Sequence, residues 1–134
     1  MILTTLETVP AFLAYFISSV LLLAAFLTLY CVVLPGREWS QIRAGNAAAA
    51  LSLAGASLGF SLPLAAAIVH AGSLADMMLW AGISLLVQLG AFAAMHLLRR
   101  DVAASIGRGD MAEAIVLAAG SVVLGLLNAA CMTP

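Results

Sequence analysis

Ile42-Arg-Ala-Gly45-Asn46-Ala-Ala48-Ala-Ala50 returns 64 residues later as Ile106-Gly-Arg-Gly109-Asp110-Met-Ala112-Glu-Ala114. From residue 42 to residue 66, 10 of 25 positions are identical to their partners 64 positions on. Alanine richness raises that figure, but the shared Ile, Gly, Leu and Ser positions do not depend on it. Working outward, each copy is flanked by apolar runs long enough to cross a bilayer, which takes about 20 residues of helix. These runs are residues 11–34, 46–71, 75–98 and 111–132. The 134-residue chain is 65% hydrophobic and 8% charged, whereas a soluble domain is about half apolar and a quarter charged. The expected fold is therefore all-α and integral to the membrane: four transmembrane helices as two parallel two-helix repeats. Repeat 1 covers about residues 1–70 and repeat 2 about 71–134, in a single membrane domain. Two helices restore the starting side, so the copies share an orientation and an axis along the membrane normal.

Orientation follows from the cations, all five of which are Arg. Arg37 and Arg43 follow the first span; Arg99, Arg100 and Arg108 follow the third. The remaining loop and the termini carry none. Basic loops stay in the cytoplasm, so both termini are expected outside. Arg37, the first basic residue, comes after the first span, so no cleavable signal is expected. Phe12, Tyr15 and Trp80 would then lie at the outer interface, Tyr30 and Trp39 at the inner one. Cys31 and Cys131 fall near opposite faces. A disulfide needs Cα atoms within about 7 Å, so none is expected within the chain.

Gly45-Asn46 and Gly109-Asp110 each place a flexible Gly before a good N-cap residue. Asp110 with Glu113 reads as a capping box, and the positive helix N-terminus favours such acids. Glu113, a carboxylate in the first turn of the last expected span, is thus a cap or an ion or proton site. Small residues mark close helix contacts: Ala48, Ser52, Gly55, Gly59 and Pro63; Ala81, Ser84, Gln88 and Ala91; Ala114, Ala118, Ser121, Gly125 and Asn128. Pro63 should kink its helix and free the carbonyl near Gly59. Ser57, Gln88 and Ser121 fall mid-span, and Asn128 lies about one turn from the outer end of the last span. An amide in hydrocarbon costs several kcal/mol unless hydrogen-bonded (about 2–7), so Gln88 and Asn128 must face the interior or a neighbouring subunit. They are either helix glue or a polar path. His70 and His96 fall at opposite faces and cannot share a metal. No phosphate loop, metal cluster or nucleophile–base pair is present, so neither a cofactor nor enzymatic activity is expected. The net charge of −1 gives no case for nucleic acid.

The ending Leu126-Leu-Asn128-Ala129-Ala130-Cys131-Met132-Thr133 resembles that of the YjfL-like family of small bacterial inner-membrane proteins. So do Glu38-Trp39, Gly45-Asn46-Ala-Ala48, Leu58-Gly59-Phe60 with Pro63, Trp80-Ala-Gly82 and Gln88-Leu89. The resemblance spans essentially the whole chain. It implies a four-helix protein of the bacterial inner membrane without an assigned activity. It also implies an envelope-stress context, because members are often encoded near phage-shock-type membrane-stress proteins and polyamine enzymes.

The leading expectation is a non-enzymatic membrane component, a scaffold or sensor in membrane stress with a stress-related partner protein. Arg37, Arg43, Arg99, Arg100 and Arg108 would hold anionic lipid headgroups, at about 1 kcal/mol each near the surface. The alternative is a small homo-oligomeric channel or transporter for an ion or small solute. Ser57, Gln88, Ser121 and Asn128 would line its path, and Asn46, Asp110 and Glu113 its cytoplasmic mouth. Polar groups on several faces lead us to expect homo-oligomerisation in either case.

Overall fold

Gly45-Asn46 and Gly109-Asp110 build the same corner twice. In the computed structural model, which describes residues 1–33, 38–99 and 101–132, each pair ends a short helix and begins a long one. The helices are α1 (Ile2–Val33), α2 (Glu38–Arg43), α3 (Ala47–His70), α4 (Leu74–Leu98), α5 (Val102–Gly107) and α6 (Met111–Cys131). The short helices α2 and α5, six residues each, occupy stretches expected from sequence to be loops. So short a helix leaves little periodic signal and is held by its surroundings rather than by propensity.

At the first corner Gly45 adopts φ +90. Its N–H donates to Ile42 O at 3.0 Å, and Asn46 N–H donates to Gln41 O at 2.9 Å. These two bonds satisfy the carbonyls at the end of α2 in the Schellman pattern, which favours Gly at the left-handed position. At the second corner Gly109 has φ +83, and the same bonds run from Gly109 N–H to Ile106 O (2.9 Å) and from Asp110 N–H to Ser105 O (3.0 Å). Asn46 Oδ1 then accepts from Ala48 and Ala49 N–H to cap α3. Asp110 Oδ1 accepts from Glu113 N–H to cap α6.

α1, α3, α4 and α6 are long and apolar enough to cross a membrane. α1 is longer than the expected 11–34. It starts at Ile2 and runs through Pro10. Pro suits the first turn of a helix, but here the upstream residues are, apart from Glu7, apolar or Thr, and backbone polar groups in an apolar phase are best satisfied by helix. The Thr4, Thr5 and Thr8 hydroxyls donate back to carbonyls of Met1 and Thr5 in the same turns. α4 is capped by Ser73 Oγ, which accepts from Asp76 N–H at 3.1 Å.

α3 is the centre of the bundle; α6, α4 and α1 all pack on it. The α3–α6 contact is backbone against backbone. A Cβ added to Gly55 would overlap Ala118, one on Gly59 would overlap the Ser121 carbonyl, and one on Gly125 would overlap the Gly59 carbonyl. Pro63 has no N–H for Gly59 O, and that freed carbonyl is the group lying against Gly125. On the α1 side the core is aromatic: Phe26 and Phe60 stack at 4.5 Å, and Tyr30 meets Phe92 edge-on at 4.9 Å. Tyr30 is therefore not an interfacial anchor as expected from sequence. It is buried, with its hydroxyl 2.9 Å from Ser52 Oγ. Burial of the ring against Phe26 and Phe92 outweighs the pull of water because Ser52 supplies the hydrogen bond.

Gly125→Val is expected to destabilise the bundle by about 1–3 kcal/mol or more through overpacking. Gly120→Ala, where a Cβ meets nothing within 4 Å, should be neutral or mildly stabilising. Thermal unfolding of both variants in the same detergent checks this; equal losses would show that the seam is not close-packed.

Candidate functional site

Ser84 and Gln88 lie one turn apart on α4, and Ser121 and Asn128 lie on the facing side of α6. α4 projects Gln88 far from either end: about 21 Å from Leu74 and about 15 Å from Leu98, at 1.5 Å per residue. An uncharged amide at that depth must pair. Gln88 Nε2 donates to Ser121 O at 3.1 Å, past Gly59, where a Cβ would press on the same nitrogen at 3.0 Å. Gln88 is completely buried, yet its Oε1 has no hydrogen-bond partner. Nearer the termini, Asn128 Nδ2 donates to Ser84 O at 3.2 Å. Ser84 Oγ donates to Trp80 O at 2.9 Å and lies 3.2 Å from Met132 Sδ.

Of the four residues expected to line one path, the structure brings together Gln88, Ser121 and Asn128. Ser57 is elsewhere: half-buried on α3, with its hydroxyl donating to Leu53 O at 2.8 Å in its own helix. Ser121 makes the equivalent bond to Leu117 O, and it is its carbonyl that serves the cluster. Ser84 was legible only as a small residue in a seam. The signal that could have found it is the four-residue spacing to Gln88 on the same helix face.

Beside this cluster a cavity of about 400 Å³ opens between α4 and α6. Its walls include Trp80, Ile83, Val87, Ala91, Leu124 and Leu127, with Ser84, Gln88 and Asn128 as polar groups.

The other polar constellation is at the corners. Asn46 Nδ2 donates across to Ile106 O (2.9 Å) and Gly107 O (3.4 Å), the last carbonyls of α5. One side chain thus caps α3 and ties the two corners together. Asp110, with no N–H on its side chain, cannot return that bond. Glu113 does not complete a capping box: its carboxylate takes a 2.6 Å ion pair from Arg99, and Asp110 N–H is already spent on Ser105 O. A charged guanidinium within reach outbids a backbone amide for that carboxylate. Arg108 donates to Ser105 Oγ at 3.2 Å, and Arg43 is exposed beside Trp39 and Ser40 on the outside of α2. Arg43, Arg99 and Arg108 therefore share one end of the bundle. Arg37 and Arg100 lie outside the described residues. Among the described residues no group of three metal-ligating side chains converges.

Comparison with known proteins gives a consistent result. The profile of the Domain of Unknown Function DUF350 matches residues 3–132. The "UPF0719 inner membrane protein YjfL" of Escherichia coli K12 is 35% identical over 128 residues, covering 96% of this chain and 97% of that protein. The protein of that name from Escherichia coli O157:H7 matches equally. No solved structure matches the chain significantly.

The corner geometry makes the two cap residues inequivalent. Asn46→Ala should cost about 1–2 kcal/mol for the lost cap, and Asn46→Asp should also destabilise, by setting a carboxylate oxygen against Ile106 O. Asp110→Asn should stay within about 0.5 kcal/mol of the parent, since both residues cap equally well. Thermal unfolding midpoints decide it; equal effects of Asn46→Asp and Asp110→Asn would remove the cross-corner bond.

Proposed function

The chain belongs to the DUF350 family, and from that premise we propose that it is a non-enzymatic, multi-pass component of the bacterial inner membrane, a scaffold or sensor in envelope stress. The observation that carries this reading is the division of labour between the seam and the corners. At depth, Gln88 Nε2, Asn128 Nδ2, Ser84 and Ser121 are committed to bonds between or within helices, and α3 and α6 touch backbone to backbone. The close α3–α6 contact supports this reading over an open path. At one end, Arg43, Arg99 and Arg108 are exposed together with Trp39. An exposed Trp beside cations suits the headgroup layer, and the positive-inside bias makes this the cytoplasmic end, with both termini outside.

In this reading the corners hold anionic lipid headgroups and present a surface to a stress-related partner protein. The broad apolar face of α1, from Phe12 and Phe16 to Leu21, contacts lipid or a second copy.

Replacing Arg43, Arg99 and Arg108 together by Gln is expected to reduce co-purifying anionic lipid at least about tenfold, at about 1 kcal/mol per Arg, and to abolish cross-linking to the cytoplasmic partner. Lipid mass spectrometry of the purified protein and in-cell cross-linking measure the two effects. Unchanged lipid retention and cross-linking would sink the proposal. Solute flux in proteoliposomes that Gln88→Leu with Asn128→Leu abolishes would instead carry the alternative, a homo-oligomeric channel.

A further inference from the structure

Among the described residues Gln88 Oε1 and, nearer the end of α4, His96 Nε2 are buried without a hydrogen-bond partner, and Gln88 Oε1 is the deeper of the two. It is buried, mid-span and unpaired. Leaving a buried acceptor unsatisfied is costly. Its partner nitrogen is already fixed on Ser121 O, so turning the amide over would lose that bond without gaining another. Gln88 lines the adjoining cavity; Oε1 itself is closed to a water-sized molecule, so a donor entering from the cavity reaches it by displacing a wall side chain.

That cavity has the form of a small-molecule site. About 400 Å³ falls within the usual range for ligand pockets, which are mostly apolar with a few placed polar groups. From Trp80 to Ala91 it runs about 16 Å along α4, at 1.5 Å per residue. Phospholipid is a poor occupant. Its donors are in the headgroup layer, well short of Gln88, and its acyl chains carry none. We propose that the cavity between α4 and α6 binds a membrane-soluble small molecule with an apolar body and one hydroxyl or N–H, which donates to Gln88 Oε1. The apolar body lies on Ile83, Val87, Leu124 and Leu127, and the site opens towards Trp80 and Met132.

Trp80 reports on occupancy directly. In a Trp39→Phe background it is the remaining Trp of the two in the chain. The probes are an alkylphenol brominated on its alkyl tail, which quenches Trp on contact, and its methyl ether, which has the same body and no donor. Both are titrated into phosphatidylcholine nanodiscs holding the protein, with concentration expressed per lipid. The expected result is saturable quenching, about tenfold tighter for the phenol than for the ether, since 1.4 kcal/mol is a factor of ten. Gln88→Leu should erase the difference between the probes. Because Gln88→Leu also removes the bond to Ser121, a second variant is needed. Val87→Phe, at a half-exposed wall position, should abolish saturable quenching by both probes with the unfolding temperature unchanged. Quenching that rises linearly without saturation, equal affinity for the two probes, or a difference that survives Gln88→Leu would each overturn the proposal. Any of these would leave Oε1 to a trapped water.

Discussion

The fold depends on the approach of two backbones at Gly59 and Gly125. In lipid no hydrophobic force draws helices together, so packing and interhelical polar contacts must do it. Close packing needs faces without side chains, and α3 and α6 supply them. The consequences gather in one layer. Pro63 frees Gly59 O, the carbonyl that meets Gly125. Gly59 in turn lies under Ser121 O, and its missing side chain lets the Gln88 amide reach that oxygen from α4. A methyl group at Gly59 would disturb the seam and displace the amide together. Three helices are thus registered by one residue that has no side chain.

The ends of the same two helices are registered differently. There Asn46 acts as the C-terminal stop of α2, the cap of α3 and a donor to α5. Its backbone N–H does the first, as that of Asp110 does at the second corner; its side-chain amide can do the other two because it accepts and donates, whereas a carboxylate at Asp110 can only accept. Glu113 then turns to Arg99, a half-exposed pair of small energetic weight. It fastens the end of α4 to the start of α6, where no second Asn bridge exists.

Much of this was legible in the sequence. Length and apolarity gave four spans, and the Gly-Asn and Gly-Asp punctuation gave the starts of α3 and α6 to the residue. The small-residue faces gave the seam, and Pro63 gave the freed carbonyl. The start of α1 was not legible, because Pro10 sends the same signal at a helix start as within a helix that lipid enforces. Nor was the burial of Tyr30, which turns on Ser52 lying opposite it, a tertiary fact. At the site, depth identified Gln88, Ser121 and Asn128 but could not separate them from Ser57. A serine that bonds to its own preceding turn is satisfied without a partner, and nothing in its spacing shows which serines do so.

The distribution of polar groups bears on why the cluster exists. The positions 64 residues before Ser84, Gln88 and Asn128 are Val20, Ala24 and Leu64. In the first half α1 rests on α3 with Phe26, Tyr30, Phe60 and the Tyr30–Ser52 hydrogen bond. There an outer helix meets the central pair largely through aromatic and aliphatic side chains. The second half does the same task with two amides at depth, one of which leaves its oxygen buried and unpaired. A buried unpaired acceptor is a cost that apolar packing does not carry. Polar residues that break a local rule in this way are the places where function is sought first, and here they fall between α4 and α6, beside a cavity that Gln88 borders.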